Sequence, residues 1–409
     1  MVTVLKPADD GQVLAALEWA VGNETALELC GAGGKRGFGR PLDVGHRLDL
    51  TALQGISLYE PDELVLTAGP GTPMAEIEGL LGQHRQALAF EPPDLGPLFG
   101  GAAGVQTLGG VVACNLAGPR RLKAGAARDH VLGVKGVSGR GEAFKSGGRV
   151  VKNVTGYDLP KLLTGSFGTL AALTEITVKV LPAPEKTRTV LVYGLTLDAA
   201  IRAMADAAGS PHEVAGLAHL PQPAAARSDL GYVADAGASV TAVRIEGPAP
   251  SVAHRCAALK TMLARAGAVE ELHSMNSGLF WREVRDVVAL LPARDRALWR
   301  LSVAPTAAPT VLSRLPAALT DEVLLDWAGG LIWLAVPEDA DAAAGTIRAA
   351  VRDGGHATLV RAGEAVRRRV PVFQPQPAPL AALSARVRQA FDPLGLLNPG
   401  RMYPPEAGA

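Results

Sequence analysis

The nine residues 31–39, Gly-Ala-Gly-Gly-Lys-Arg-Gly-Phe-Gly, constrain this chain more than any other stretch. They follow a short apolar run, Ala26-Leu27-Glu28-Leu29-Cys30, of the length and character of a buried strand. Glycine leaves no Cβ between backbone and ligand and tolerates positive φ. Successive backbone N–H groups in such a turn converge on an anion, most often a phosphate. Lys35 and Arg36 add positive charge at the same place. Taken alone, the run is either a phosphate-cradling loop or a surface turn. Two familiar phosphate loops are excluded. A Walker A loop would need glycine at Leu29 and serine or threonine at Arg36, and a Rossmann fingerprint would need glycine at Arg36.

The remaining composition narrows the class. A chain of 409 residues suits two or three domains. Its 40 basic and 40 acidic residues balance, and no long basic tract is present, which argues against nucleic acid as a partner. The densest basic run, Arg367-Arg368-Arg369, reads as a solvated patch or a contact with a partner chain. Cys30, Cys114 and Cys256 are scattered and form no Cys-x-x-Cys pair, so zinc ribbons and iron–sulfur ligation have no support. No apolar run reaches membrane-spanning length and no signal-like N-terminus is present. The expected location is cytoplasmic, with membrane association left open through a partner subunit.

Along the chain, residues 2–5 predict a strand and 7–21 a helix with Val13, Leu14, Leu17 and Ala20 on one face. With the strand 26–30 these make a β-α-β unit. Residues 63–68 predict a strand, and Thr72-Pro73 opens a helix to about residue 84, with Thr72 as N-cap and Pro73 as first helical residue. Another short strand is expected at 87–90. A second glycine-rich stretch spans 100–118, with a short helix at 108–115 whose Gly109, Gly110 and Ala113 either admit a ligand to the backbone or pack the helix on a sheet. A hairpin is expected from 131–136 and 142–145, and a half-buried strand at 173–181. Pro182-Ala183-Pro184 marks a domain boundary. Beyond it, strands and helices alternate as two β-α-β-β-α-β sets, which predicts one antiparallel sheet with helices on one face. A proline-rich link at 374–379 leads to a last helix, 380–391, and a tail ending near Tyr403.

Three stretches together carry a family resemblance: 31–39; Thr107-Leu108-Gly109-Gly110 with Asn115; and Gly156-Tyr157-Asp158-Leu159 through Gly165-Ser166-Phe167-Gly168-Thr169-Leu170 to Thr174-Glu175. Their order and spacing resemble the FAD-binding domain of the vanillyl-alcohol oxidase, or p-cresol methylhydroxylase (PCMH), type. Phe391-Asp392-Pro393 and Leu397-Asn398-Pro399-Gly400 are similar to the C-terminal segment of the D-2-hydroxyacid branch. Within the family, the run Arg149-Val150-Val151-Lys152-Asn153-Val154-Thr155-Gly156-Tyr157-Asp158-Leu159 and the compact length most resemble the glycolate oxidase E-subunit group.

The resemblance implies an α+β fold: a two-lobed PCMH-type FAD-binding domain at 1–182, with lobes 1–57 and 58–182, an α+β cap with an antiparallel sheet at 183–373, and a C-terminal segment, 374–409, returning to the FAD domain. It implies FAD as cofactor, held by Gly31, Ala32, Gly33, Gly34, Lys35, Arg36 and Gly37 on one side and by Gln106, Thr107, Leu108, Gly109, Gly110 and Ala113 on the other. Leu173 and Thr174 would contact the cofactor through backbone, and Asn398 and Arg401 would approach the flavin edge or simply end a helix. Some relatives attach FAD through a histidine in the first loop; 31–39 has none, so non-covalent FAD is expected.

Many relatives hold a metal with a His-x-Gly-Asp-Gly-Asn-x-His run, yet the matching stretch 329–336 has no histidine, so no metal is expected. His212 and His219 share that spacing but not its residues. Arg285 falls where a carboxylate-binding arginine is expected, or else it is the solvated face of an amphipathic helix. The implied role is the FAD-binding subunit of a glycolate oxidase complex. A metal-bearing flavoprotein subunit and an iron–sulfur subunit would be the partners, and a small 2-hydroxy acid the substrate. The alternatives are a stand-alone FAD-dependent D-2-hydroxyacid dehydrogenase and a structural subunit without functional flavin.

Overall fold

The computed structural model describes residues 2–149 and 156–404. The chain divides into two compact units: Met1–Ala117 with Gly125–Ala183 and Pro375–Ala409, and Gly118–Ala124 with Pro184–Gln374. Six residues of the run 149–159, from Val150 to Thr155, lie outside the described residues.

The first unit begins with a three-stranded parallel sheet in which His46–Asp49 lies between Thr3–Leu5 and Leu27–Cys30. The helix Asp10–Gly22 starts where Asp9 accepts a hydrogen bond from the Gln12 amide at 2.8 Å. It buries Val13, Leu17 and Ala20 against Leu27, Leu48 and Leu50. The middle strand, His-Arg-Leu-Asp, was not expected, because only Leu48 in it is buried and apolar. Its polarity is answered within the sheet: Arg47 stands opposite Glu28 and donates to its carboxylate at 2.9 Å.

The second sheet of this unit is antiparallel, in the order Ile56–Glu60, Val65–Ala68, Ala171–Lys179, Val131–Ser138, Ala143–Gly147. Two local expectations fail here. Thr72 does not cap the helix Met74–Gln83, whose N-cap is Pro73; its hydroxyl instead bonds both backbone groups of Gly55, at 3.0 and 3.2 Å. The strand expected at 87–90 shrinks to Gln86–Ala87, paired with Leu181–Pro182, because Glu91 takes positive φ and the chain turns away.

The C-terminal segment completes the unit. After the helix Ala378–Phe391, the buried Asp392 carboxylate accepts from the Leu396 and Leu397 amides at 3.0 and 2.8 Å. The chain then runs beside Leu27: the Leu27 amide donates to Leu396 O at 2.8 Å, and the Asn398 amide donates to Leu27 O at 3.0 Å. Leu396 and Leu397 thereby enter the first core.

The second unit holds an eight-stranded antiparallel sheet. Its order is Val269–Leu272, Lys186–Tyr193, Val240–Gly247, Gly216–Leu220, Val323–Asp326, Leu331–Pro337, Arg296–Ser302, His356–Arg361. These are two β-α-β-β-α-β sets joined edge to edge where His219 meets Leu325. Helices Leu197–Gly209, Ala249–Leu263, Ala308–Ser313 and Ala344–Ala350 share one core with alternate strand residues such as Trp299, Leu301, Ile332 and Leu334. The α+β class and the antiparallel cap-type sheet are as the sequence predicts.

Candidate functional site

The first unit contains a cleft of about 990 Å³ of empty space, reckoned out to its mouth. Its first wall is the glycine run that follows Leu27–Cys30. A Cβ on Gly31 would lie 2.7 Å from Thr107 Oγ1, so the absence of a side chain there lets the two glycine-rich stretches meet. Thr107 also caps the short helix Leu108–Ala113.

The two cations of the first loop part company. Arg36 turns to Glu28, donating from Nε at 2.8 Å and Nη2 at 3.0 Å. Arg47 adds its bond at 2.9 Å, and Arg401 donates from Nη2 to the same carboxylate at 3.4 Å. Burial alone would raise the Glu28 pKa, but the Arg36 and Arg47 guanidiniums outweigh it and hold the carboxyl below its ordinary range. Arg36, hydrogen-bonded to that carboxylate, is held above its own usual value. Arg36 therefore buttresses the wall, and its charge is largely spoken for.

Lys35 is different. It makes no ion pair among the described residues; its Nζ lies 3.4 Å from Gln106 Oε1, and burial pushes its pKa down. An ammonium desolvated without a carboxylate is costly and becomes favourable when an anion arrives. Two thiols share the cleft. Burial raises the Cys30 pKa and pushes Cys114 up to about 11, so both are neutral thiols near pH 7.

The far wall comes from the second sheet and the tail. Asn398, buried and at φ 44°, accepts the Leu29 amide through Oδ1 at 2.8 Å and donates through Nδ2 to Phe167 O at 2.7 Å. One amide side chain thus links the strand entering the glycine loop to the loop at 165–168. Arg401 donates to Arg36 O and Arg40 O, both at 3.1 Å, and stitches the tail onto the first loop.

Of the residues singled out in the sequence, Gly31, Ala32, Gly33, Gly34, Lys35 and Arg36 line the cleft, as do Gln106, Thr107, Gly109, Gly110 and Ala113. Leu173, Asn398 and Arg401 line it too. Gly37, Leu108 and Thr174 do not. A Cβ at Gly37 would strike the Phe99 ring at 2.6 Å, Leu108 is fully buried in the core, and Thr174 is buried. Sequence reasoning missed Glu28, Phe38 and Cys114; a charged residue inside an otherwise apolar strand was the signal available for Glu28.

Arg285 lies in the second unit, at the end of the helix Ser274–Arg285, with its fork closed on Asp286: both Nε and Nη2 donate at 2.8 Å. Its neighbour Trp281 is buried and donates to Thr189 Oγ1. His219 is buried against Thr241 Oγ1 at 2.9 Å, and burial lowers its pKa to about 4. Among the described residues, no group of three or more His, Cys, Asp and Glu side chains is placed to hold a metal ion.

A two-lobed α+β unit with a glycine-walled cleft defines the PCMH class of FAD-binding proteins. Residues 2–147 match the family model described as an FAD binding domain. The fold is that of p-cresol methylhydroxylase, with a TM-score of 0.75 at 14% identity over 98% of this chain and 88% of that one. It is also that of alkyldihydroxyacetonephosphate synthase, with a TM-score of 0.66 at 15% identity over 97% of this chain and 75% of that one.

The chain is 35% identical over 402 residues to the glycolate oxidase subunit GlcE of Escherichia coli K12, covering 98% of this chain and 99% of the relative, and it belongs to that family of FAD-linked proteins. Partial matches include the glycolate oxidase subunit GlcD of Bacillus subtilis 168, 35% identical over 41% of this chain and 34% of that one. The D-lactate dehydrogenase of Archaeoglobus fulgidus is 32% identical over 44% of this chain and 38% of its own.

Proposed function

We propose that this chain is the FAD-carrying subunit of a glycolate oxidase complex that oxidises glycolate to glyoxylate. The observation that carries the reading is Lys35: a desolvated ammonium that makes no ion pair among the described residues, set between two glycine-rich backbones. That arrangement fits a pyrophosphate, whose charge Lys35 would neutralise while the loop N–H groups donate to its oxygens without intervening side chains. Bound FAD supplies the capacity to accept a hydride or electrons that no side chain has. The chain's own residues bind and orient. Asn398 and Arg401 hold the loops in register, and Glu28 keeps three arginines in place behind them.

Among the described residues no histidine lines the cleft, and burial raises the pKa of both its cysteines, which supports non-covalent attachment. In this reading residues 1–182 form the FAD-binding domain, with lobes 1–57 and 58–182. Residues 183–373 form the cap, and 374–409 the returning segment. The partners are a metal-bearing flavoprotein subunit and an iron–sulfur subunit. No helix among the described residues is long and apolar enough to cross a membrane; membrane association through a partner subunit is part of this reading.

The test is anaerobic. The purified chain, alone and then with its partner subunits, is mixed with glycolate while the flavin band is recorded. Bleaching that requires the partners supports the proposal. Bleaching by the chain alone would replace it with a stand-alone 2-hydroxyacid dehydrogenase. Absence of any flavin band would leave a structural subunit.

A further inference from the structure

The tail segment from Asp392 to Arg401 is keyed into the first unit by three close approaches. A Cβ added to Gly139 would lie 2.6 Å from Asp392 Cβ, one added to Gly168 would lie 2.7 Å from Asn398 Nδ2, and one added to Gly39 would lie 2.6 Å from Arg401 Cδ. Such distances are too short for a real Cβ, so each of these tail side chains occupies a notch that only glycine leaves. The notches come from three separate places in the chain. They are the end of the first glycine run, the turn between the strands Val131–Ser138 and Ala143–Gly147, and the loop before the strand Ala171–Lys179.

Backbone bonds run between the notches. The Leu27 amide donates to Leu396 O and the Asn398 amide to Leu27 O, flanking a parallel bridge between Leu27 and Leu397. The Arg40 amide donates to Arg401 O at 2.8 Å. Asn398 then spans the cleft itself, because its two partners, Leu29 and Phe167, line opposite walls. While that bridge is made, the walls cannot part.

The helix that leads into the tail is held differently. None of the 14 residues of Ala378–Phe391 is buried, and Leu380 and Leu383 are about half exposed. Only its last turn is tied down by a side chain of the hairpin: Arg140 Nε donates to Ala390 O at 2.7 Å, and Phe391 meets Phe144 edge-on at 6.4 Å. Helices in proteins owe most of their stability to a packed face, and segments with few buried contacts open at a lower free energy than the core. The tail is thus a closely keyed strap carried on a weakly packed helix.

We infer that the segment 392–401 is a strap that closes the cofactor cleft: it leaves its three notches, with the helix Ala378–Phe391 moving with it, before FAD can leave or enter. The inference rests on the proposed function for the identity of the occupant. It adds a step, strap release, that sets how fast the chain exchanges its cofactor.

The test perturbs the strap at the notch remote from the cleft. Gly139 does not line the cleft, its φ lies outside the left-handed region, and the three atoms nearest an added Cβ all belong to Asp392. Gly139→Ala therefore unseats the tail without altering a cleft residue. Asp392→Ala is the second variant and removes the acceptor of the Leu396 and Leu397 amides. In the full-length chain, hydrogen exchange is followed at the Leu27, Leu29 and Asn398 amides, and FAD release and uptake are followed by flavin fluorescence. The wild type is expected to exchange these three amides together and to release FAD at the rate at which they open. Both variants should speed exchange and release by the same factor, at least tenfold, and should also speed uptake of FAD by the apoprotein. Exchange within Val131–Ser138 and Ala171–Lys179 should not change.

Faster release without faster uptake would make the tail a fixed wall and overturns the inference. Release at the wild-type rate overturns it too, as does exchange that rises equally in the core strands, the mark of general destabilisation. Unchanged exchange in both variants would show that the notches do not seat the tail, and the inference falls. A chain that takes up no FAD, yet opens these three amides as a unit and faster in both variants, would refute the FAD reading and leave the strap standing; a chain that holds FAD and releases it independently of those amides would do the reverse.

Discussion

Gly34→Asp separates the cleft's ligand chemistry from its folding. Gly34 is outside the left-handed region, and a Cβ there would meet only Val105 Cγ2 at 3.7 Å and Gly96 Cα at 4.0 Å, ordinary contacts that need no rearrangement. The fold should therefore accept the substitution, and the melting temperature of the apoprotein should change little. The bound state should not accept it. A carboxylate about 4 Å from a phosphate oxygen repels it by about 1 kcal/mol per unit charge in water and about 4 kcal/mol at an effective dielectric constant near 20. Weakening of FAD binding should thus fall between roughly fivefold and a thousandfold. The assay is titration of apoprotein with FAD, followed by flavin fluorescence, with Gly34→Ala separating the effect of the Cβ from that of the charge. A Gly34→Asp dissociation constant within twofold of wild type would place the pyrophosphate elsewhere and refute the assignment of this loop.

Lys35→Met removes the ammonium while keeping its length; it should weaken FAD by roughly tenfold to a hundredfold, as expected for one charged hydrogen bond of about 1.5–3 kcal/mol, and leave the melting temperature of the apoprotein little changed. Asn398→Ala strips partners from the Leu29 amide and the Phe167 carbonyl and leaves alanine at φ 44°. Losing two part-buried hydrogen bonds costs roughly 1–3 kcal/mol, read as a lowered denaturant midpoint in urea unfolding. Burial lowers the pKa of folded His219 to about 4, below the ordinary histidine value of 6.5, so the unfolded chain binds the extra proton between those values. Stability is then full above pH 6.5 and falls by about 3 kcal/mol on acidification to pH 4, and His219→Gln should flatten that part of the pH–stability curve.

Much of this organisation was legible in the sequence because it is written in local patterns. The glycine runs, the alternating strands and the paired β-α-β-β-α-β sets each announce themselves through residue types that have one common use. What stayed hidden depends on partners distant in the chain. The strand His46–Asp49 is too polar to look buried until Arg47 is seen opposite Glu28. Arg36 looked like a ligand cation because nothing local hinted that a strand carboxylate eight residues earlier would claim it. Thr72 has the capping residue type and position, yet Gly55 competes for its hydroxyl.

Arg285 makes the contrast plainest: only the fold tells that its guanidinium already has a carboxylate, that of Asp286.

The central claim is that this chain itself holds FAD, reversibly, in the cleft between its two glycine-rich stretches. Acid precipitation of the purified chain, followed by spectroscopy and chromatography of the supernatant, measures it directly. The account predicts a colourless pellet and close to one equivalent of free FAD per chain in solution. A yellow pellet would contradict non-covalent attachment, and the absence of flavin from both fractions, with none regained on incubation with FAD, would contradict the claim altogether.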